Sequence, residues 1–293
     1  MDLQAYIDKA SILIEATPYI QDFRGETVVV KLGGSVMEDP QALESLLADI
    51  AFMSTVGMKI VLVHGGGKAI SRALDKAGVK SEFLMGLRIT GDDAIGIMAD
   101  VVKKEVNAEV VRILRRHNVN AHPLHGDWIF RVVRKTGRLP DGTVLDWGYV
   151  GEVTGVDTRP VREMTDAGVV PVVTPLGISE FGRLHNINAD TAAAALAKAL
   201  PARKLAFISD VPGLLRDKDD PASLISSLRV SDITRLEDEG VIAGGMLPKL
   251  ESCAEAIRAG VRKVHLVDGR MPHSLLLEIF TRKGVGTEIT ADE

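Results

Sequence analysis

Short runs of β-branched residues recur along the chain, and each stops at glycine, aspartate or proline. Val28, Val29 and Val30 lead into Gly33 and Gly34, while Ile60, Val61, Leu62 and Val63 lead into Gly65, Gly66 and Gly67. Residues 169–174, 205–209 and 264–267 repeat the pattern. Runs that are apolar throughout, with no alternation, predict strands buried on both faces. Between them, apolar residues three and four apart predict helices over 42–53, 69–77, 92–116, 189–200 and 249–259. Strands alternating with helices predict an α/β fold, a three-layer αβα sandwich around an open, mostly parallel sheet.

Two segments depart from that rhythm. Residues 129–133 and 144–153 flank Pro140-Asp141-Gly142 and predict a β-hairpin inserted beside the cleft. Ahead of the first strand, Leu3, Ile7, Ala10, Leu13 and Ile14 lie at helical spacing, with a break or kink expected at Pro18. This helix either covers its own domain or packs on another subunit.

Composition narrows the function. At 293 residues, one large domain or two lobes sharing a cleft are expected, and 46% hydrophobic with 26% charged residues excludes disorder. Lys and Arg number 35 against 40 Asp and Glu, a net charge of −5 without a basic stripe. Nucleic acid is therefore not an expected partner, whereas a small anion in a local pocket remains open. Cys253 is the single cysteine, and no stretch approaches the ~20 apolar residues of a membrane span. With no signal-peptide pattern, the expectation is a cytoplasmic protein with no membrane partner.

The candidate chemistry lies in two glycine-rich turns, Lys31-Leu32-Gly33-Gly34-Ser35 and His64-Gly65-Gly66-Gly67-Lys68. Bare glycines after a strand let backbone N–H groups crowd around an anion, and the following helix adds its positive end. Spacing excludes three familiar loops. Ala69 after Lys68 breaks the Walker A pattern, Ile70 stands where a dinucleotide fingerprint needs glycine, and no Gly-x-Ser-x-Gly supplies an esterase nucleophile. There is no His-Glu-x-x-His, and His122 and His125 flank a proline, so no metal site is expected.

Six segments in order, KLGGS at 31–35, VHGGG at 63–67, GLRIT at 86–90, NINAD at 186–190, SDVPGLL at 209–215 and GGMLPKLE at 244–251, resemble the amino acid kinase family. The resemblance covers nearly the whole chain. It implies an acceptor lobe over 25–185 and an ATP lobe over 186–293 sharing one sheet, with residues 1–24 as an oligomerisation helix. The greatest similarity is to members that use ATP with Mg2+ to phosphorylate the side-chain carboxylate of N-acetyl-L-glutamate in arginine biosynthesis. Kinases of related amino acids or carbamate, and a catalytically silent arginine or nucleotide sensor, are the alternatives.

The chemistry so implied can be reasoned separately. A glutamate-like acceptor with a pKa of ~4.3 is already ionised, so no general base is required. The difficulty is to bring an anionic nucleophile against a triphosphate, which calls for cations and N–H donors. By resemblance, Lys31 and Lys249 hold the migrating phosphoryl group and Asp190 orients both. Gly66 and Gly67 donate N–H groups, Arg88 clamps the α-carboxylate, and Asn186 binds substrate unless it merely caps the next helix. Gly33, Gly34, Asp210, Gly213, Leu214 and Leu215 are expected on the nucleotide. Arginine-inhibited members carry an extra N-terminal helix and form hexamers, whereas those without it are dimers. A homo-oligomer inhibited by L-arginine is therefore expected, with Tyr19, His273, Glu278 and Gly286 as candidates for the inhibitor site.

Overall fold

Each β-branched run forms a strand of one eight-stranded sheet in the computed structural model, which describes residues 3–139, 141–242, 246–281 and 284–292. The strands lie in the order Ser227–Arg229, Thr287–Thr290, Lys263–Asp268, Lys204–Ser209, Thr27–Leu32, Lys59–His64, Val170–Val173, Ala121–Leu124. Neighbours pair in parallel except Lys263–Asp268 with Thr287–Thr290. Helices cover both faces, and the sheet is the middle layer of an αβα sandwich.

Strand alternation decides which side chains meet which helices. Val28, Val30 and Leu32 pack with Leu43, Leu46, Leu47 and Ile50 of the helix Pro40–Thr55. Val29, Val61, Val63 and Phe207 pack on the opposite face with Ala192, Ala193 and Leu196 of the helix Ala189–Ala199 and Leu250 of the helix Met246–Arg258. Each fully buried Val, Leu, Ile or Phe among them contributes about 1.5–3 kcal/mol. Lys31 shares the Val29 face, so alternation alone aims it at the helix that begins at Ala189.

The expected hairpin forms from Phe130–Arg138 and Val144–Val156, and both strands run longer than their patterns indicate. Two strands of three residues, Leu176–Ile178 and Leu184–Asn186, close it into a small barrel. Segments that short carry no readable period. The helix expected over 92–116 has three parts: α-helix at Asp92–Asp100, a π-helical stretch at Val101–Asn107, and α-helix again at Ala108–Arg116.

The N-terminal helix, Leu3–Phe23, passes through Pro18 without ending there, because one proline removes a single backbone bond from a long helix. Leu3, Ile7, Leu13 and Ile14 on it are exposed. Arg203 fastens its far end, donating to the Asp22 carbonyl at 2.6 Å, pairing with the Asp22 carboxylate and stacking 4.3 Å over the Phe23 ring. Among the described residues, no helix is long and apolar enough to cross a membrane.

Candidate active site

Register brings three strand ends level, since Leu32 pairs with Ile208 on one side and His64 on the other. The turns that follow therefore crowd one edge of the sheet, and open parallel sheets bind ligands outside that carboxyl edge. A Cβ on Gly65 would lie 3.5 Å from the Gly34 nitrogen, and one on Gly34 would lie 3.6 Å from the Gly67 nitrogen. The two glycine turns thus touch, and together they line a cleft of about 250 Å3 with Lys31, Arg88, Asn186 and Asp190. Hollows of about 740 and 920 Å3 exist elsewhere, but neither is lined by either of these two turns, and size alone does not select a site.

Lys31 and Lys249, far apart in the chain, converge on one carboxylate. Lys31 Nζ lies 2.7 Å from Asp190 Oδ1, and Lys249 Nζ donates to Asp190 Oδ2 at 2.8 Å. The three side chains are only 10, 15 and 17% exposed, for Lys31, Lys249 and Asp190 in turn. Asp190 stands in the first helical turn, where Asn188 caps the helix by accepting from the Asp190 and Thr191 N–H groups at 2.8 and 3.2 Å. Burial pushes the Asp190 carboxyl upward, but attraction to Lys31 and then Lys249 outweighs it and holds the carboxyl below its ordinary value. Burial, opposed by Asp190 and assisted by Lys249, lowers Lys31.

Arg88 ends a two-residue strand, Leu87–Arg88, and is buried. It donates to the Gly67 carbonyl at 3.0 Å and to Ser71 Oγ at 2.9 Å, bonds Ser81 Oγ, and stacks 4.6 Å over the Phe83 ring. The serines and the phenylalanine were not legible as partners, because Phe83 meets Arg88 only across the hairpin pairing and Ser71 reaches it from the helix Gly67–Lys76. Asn186 lines the cleft from the short strand Leu184–Asn186, and the helix cap is Asn188.

Gly33 has a plain structural reason to be glycine. Its N–H donates to the Ile208 carbonyl at 2.8 Å, and a Cβ there would lie 2.6 Å from that oxygen. Gly34 carries the open side of the turn and lines the cleft. Asp210 is exposed at the end of the strand Lys204–Ser209. Beyond it, Gly213 adopts φ +138° against Thr287, the Leu214 N–H donates to Thr287 Oγ1 at 2.8 Å, and Leu215 bridges Leu224. Gly244 and Gly245 lie outside the described residues.

The candidate inhibitor residues separate into two places. Of them, Tyr19 and Glu278 line the hollow of about 920 Å3, with Lys204, Gly284 and Glu288, and Gly286 adjoins it through Glu278. Glu278 accepts from the Val285 and Gly286 N–H groups at 2.7 and 3.0 Å and meets His265 Nδ1 at 2.6 Å. Burial lowers Lys204 to about 8. His273 is elsewhere, with Nδ1 2.7 Å from Asp49 Oδ1 on the helix Pro40–Thr55. Lys204 and His265 escaped notice because each reads as part of a buried strand.

Among the described residues, no group of three or more His, Cys, Asp or Glu could hold a metal ion. Cations and amide donors gathered in one cleft suit phosphoryl transfer between anions, the chemistry of a small-molecule kinase. Residues 26–268 match the sequence profile of the amino acid kinase family, and the chain belongs to that family.

A curated acetylglutamate kinase of Heliobacterium modesticaldum is 46% identical, over 97% of this chain and 98% of its own length. Among solved structures, N-acetylglutamate synthase from Neisseria gonorrhoeae, complexed with coenzyme A and N-acetyl-glutamate, superposes with a TM-score of 0.83 at 29% identity. The match covers 97% of this chain and 64% of that one. The same synthase complexed with coenzyme A and L-arginine gives 0.79 at 27%, covering 96% of this chain and 65% of that one.

Proposed function

We propose that this chain is an acetylglutamate kinase, which transfers the γ-phosphoryl group of ATP to the side-chain carboxylate of N-acetyl-L-glutamate in arginine biosynthesis. Full-length similarity to the Heliobacterium enzyme supports the substrate. The observation that carries the mechanism is the pair of lysines on one buried carboxylate beside the glycine turns. The carboxylate attacks phosphorus, the bond to the β,γ-bridging oxygen breaks, and an acyl phosphate and ADP leave. Lys31 and Lys249 counter the charge on the transferring oxygens, Asp190 keeps both ammonium groups in place, and the Gly66 and Gly67 N–H groups face the reacting oxygens.

Mg2+ enters with ATP as part of the donor. Asp190 is taken by two lysines and is not free to ligate, so phosphate oxygens and water hold the ion. The turn from Asp210 to Leu215, with Gly34, receives the nucleotide, and the sheet divides into an acceptor lobe and an ATP lobe around the cleft. ADP release measured with N-acetyl-L-glutamate, glutamate, aspartate, carbamate and UMP tests the reading, and turnover confined to another acceptor refutes it. In that assay, Arg88→Ala is expected to raise KM for the acid by about tenfold or more with a smaller effect on kcat, because a clamp on the α-carboxylate serves ground and transition states alike. An unchanged KM removes Arg88 from the acceptor site.

The hollow at Tyr19 and Glu278 is the proposed site for L-arginine as feedback inhibitor. A carboxylate that takes a guanidinium and an ammonium at Lys204 that takes a carboxylate both line it, and the Neisseria relative is known with L-arginine bound. The exposed stripe of the helix Leu3–Phe23 supports a homo-oligomer built through it. Deleting residues 1–24 is expected to leave a smaller, active and arginine-insensitive oligomer, read by light scattering and inhibition curves. Unchanged size and inhibition refute this part. The working compartment is the cytoplasm.

A further inference from the structure

Beneath the second glycine turn lies a buried polar pair that the reaction scheme does not use. His64 ends the strand Lys59–His64, is fully enclosed, and has Nδ1 2.7 Å from the carbonyl oxygen of Gly65. Asn107 is equally enclosed, with Nδ2 2.9 Å from His64 Nε2 and 2.8 Å from the Val172 carbonyl oxygen. These partners assign every proton. A carbonyl only accepts, so Nδ1 carries hydrogen. The Asn107 amide nitrogen gives one hydrogen to Val172 and the other to Nε2, which must therefore be bare. Turning the amide over would set its oxygen against the Val172 carbonyl, two acceptors in repulsion. His64 is thus the neutral Nδ1–H tautomer, and burial, which lowers its pKa to about 4, keeps it neutral at physiological pH.

Asn107 closes the π-helical stretch Val101–Asn107. From the same stretch, Val102 and Val106 pack on the turn, since a Cβ on Gly66 would lie 3.5 and 3.7 Å from their Cγ2 atoms. A π turn admits an extra residue and shifts the side chains that follow it around the axis, and such stretches concentrate at functional sites.

The peptide units here are trans, so the C=O and N–H of one unit point opposite ways. Holding the Gly65 carbonyl against the buried imidazole leaves the Gly66 N–H, in the same unit, facing away from the interior. Gly66 lines the cleft with Lys31 and Asp190. Flanked by two residues without Cβ, this unit has little else to stop it rotating.

We propose that His64 and Asn107 are a positioning pair that locks the Gly65–Gly66 peptide with its N–H toward the transferring phosphoryl group. The inference rests on the kinase reading, which makes that N–H a donor. In His64→Leu the lock is lost, and kcat is expected to fall by about 100-fold. KM for ATP and N-acetyl-L-glutamate should stay within about threefold, the pattern of an interaction made in the transition state. In His64→Asn the amide nitrogen takes the place of Nδ1, and kcat should recover by about tenfold or more relative to leucine, because the donor to Gly65 is restored.

Should the leucine variant fail to fold, 15N-histidine NMR of the unaltered protein still decides. The signal that vanishes in His64→Asn must show the Nδ1–H tautomer and must not titrate between about pH 5 and 8. The two failures are distinct. Wild-type inactivity toward N-acetyl-L-glutamate refutes the kinase reading, whereas a folded His64→Leu chain with wild-type kcat, or an Nε2–H tautomer, refutes the positioning pair.

Discussion

Replacing Lys249 by alanine is expected to lower kcat by about 100-fold or more, the usual effect of removing one preorganised charge from a transition state. The fold should survive, because Asp190 keeps Lys31 at 2.7 Å and so is not left as an unpaired buried carboxylate. KM for either substrate should move little, since the ammonium meets its full complement of charge only when the phosphoryl group is between donor and acceptor. Steady-state kinetics beside a thermal melt separates these effects. A stable Lys249→Ala protein with near-normal kcat removes Lys249 from the reaction.

Asp190→Ala is expected to do more, because it acts on both lysines and on stability together. Two ammonium groups, 10 and 15% exposed, would then face each other with no carboxylate between them. Breaking a buried ionic cluster in this way costs about 3–5 kcal/mol, readable in urea denaturation. Catalysis should fall by at least the factor of about 100 expected for losing one lysine.

The near-isosteric Asp190→Asn isolates the electrostatic part. Burial already lowers Lys31, Asp190 is the main influence raising it, and Lys249 lowers it further. Without the carboxylate charge the Lys31 pKa must drop again. A lysine needed as a cation then deprotonates at lower pH, so the alkaline limb of the kcat profile should move toward neutrality. An alkaline limb that stays in place in Asp190→Asn shows that Lys31 is not held charged by Asp190.

Much of the scaffold was legible because its signals are local. An unbroken β-branched run such as Val28 to Val30, too short for a helix and closed by glycine, reads as a strand enclosed on both sides, and Gly33 or Gly66 after such a run marks where the chain turns at the sheet edge. Elements without a local signal were missed. The three-residue strands Leu176–Ile178 and Leu184–Asn186 are too short to show a period, and the π-helical stretch at Val101–Asn107 keeps an ordinary helical pattern at both ends. His273 and Glu278 are close in sequence, yet one bonds Asp49 and the other His265, because a turn of helix sends them to different layers.

The order of residues alone determined the alternation of strands and helices, the glycine turns, and the kinds of side chain available at their ends, since each depends on neighbours within a few positions. Tertiary structure decided which of those side chains meet. Lys249 and Asp190 are 59 residues apart and share a hydrogen bond only because their helices pack on one face of the sheet, and strand register puts Lys31 there too. Likewise, the tautomer of His64 follows from Asn107 and Val172, partners that no local pattern names. Contacts of this kind arise when separate elements bury their apolar faces together, and that step joins distant parts of the chain.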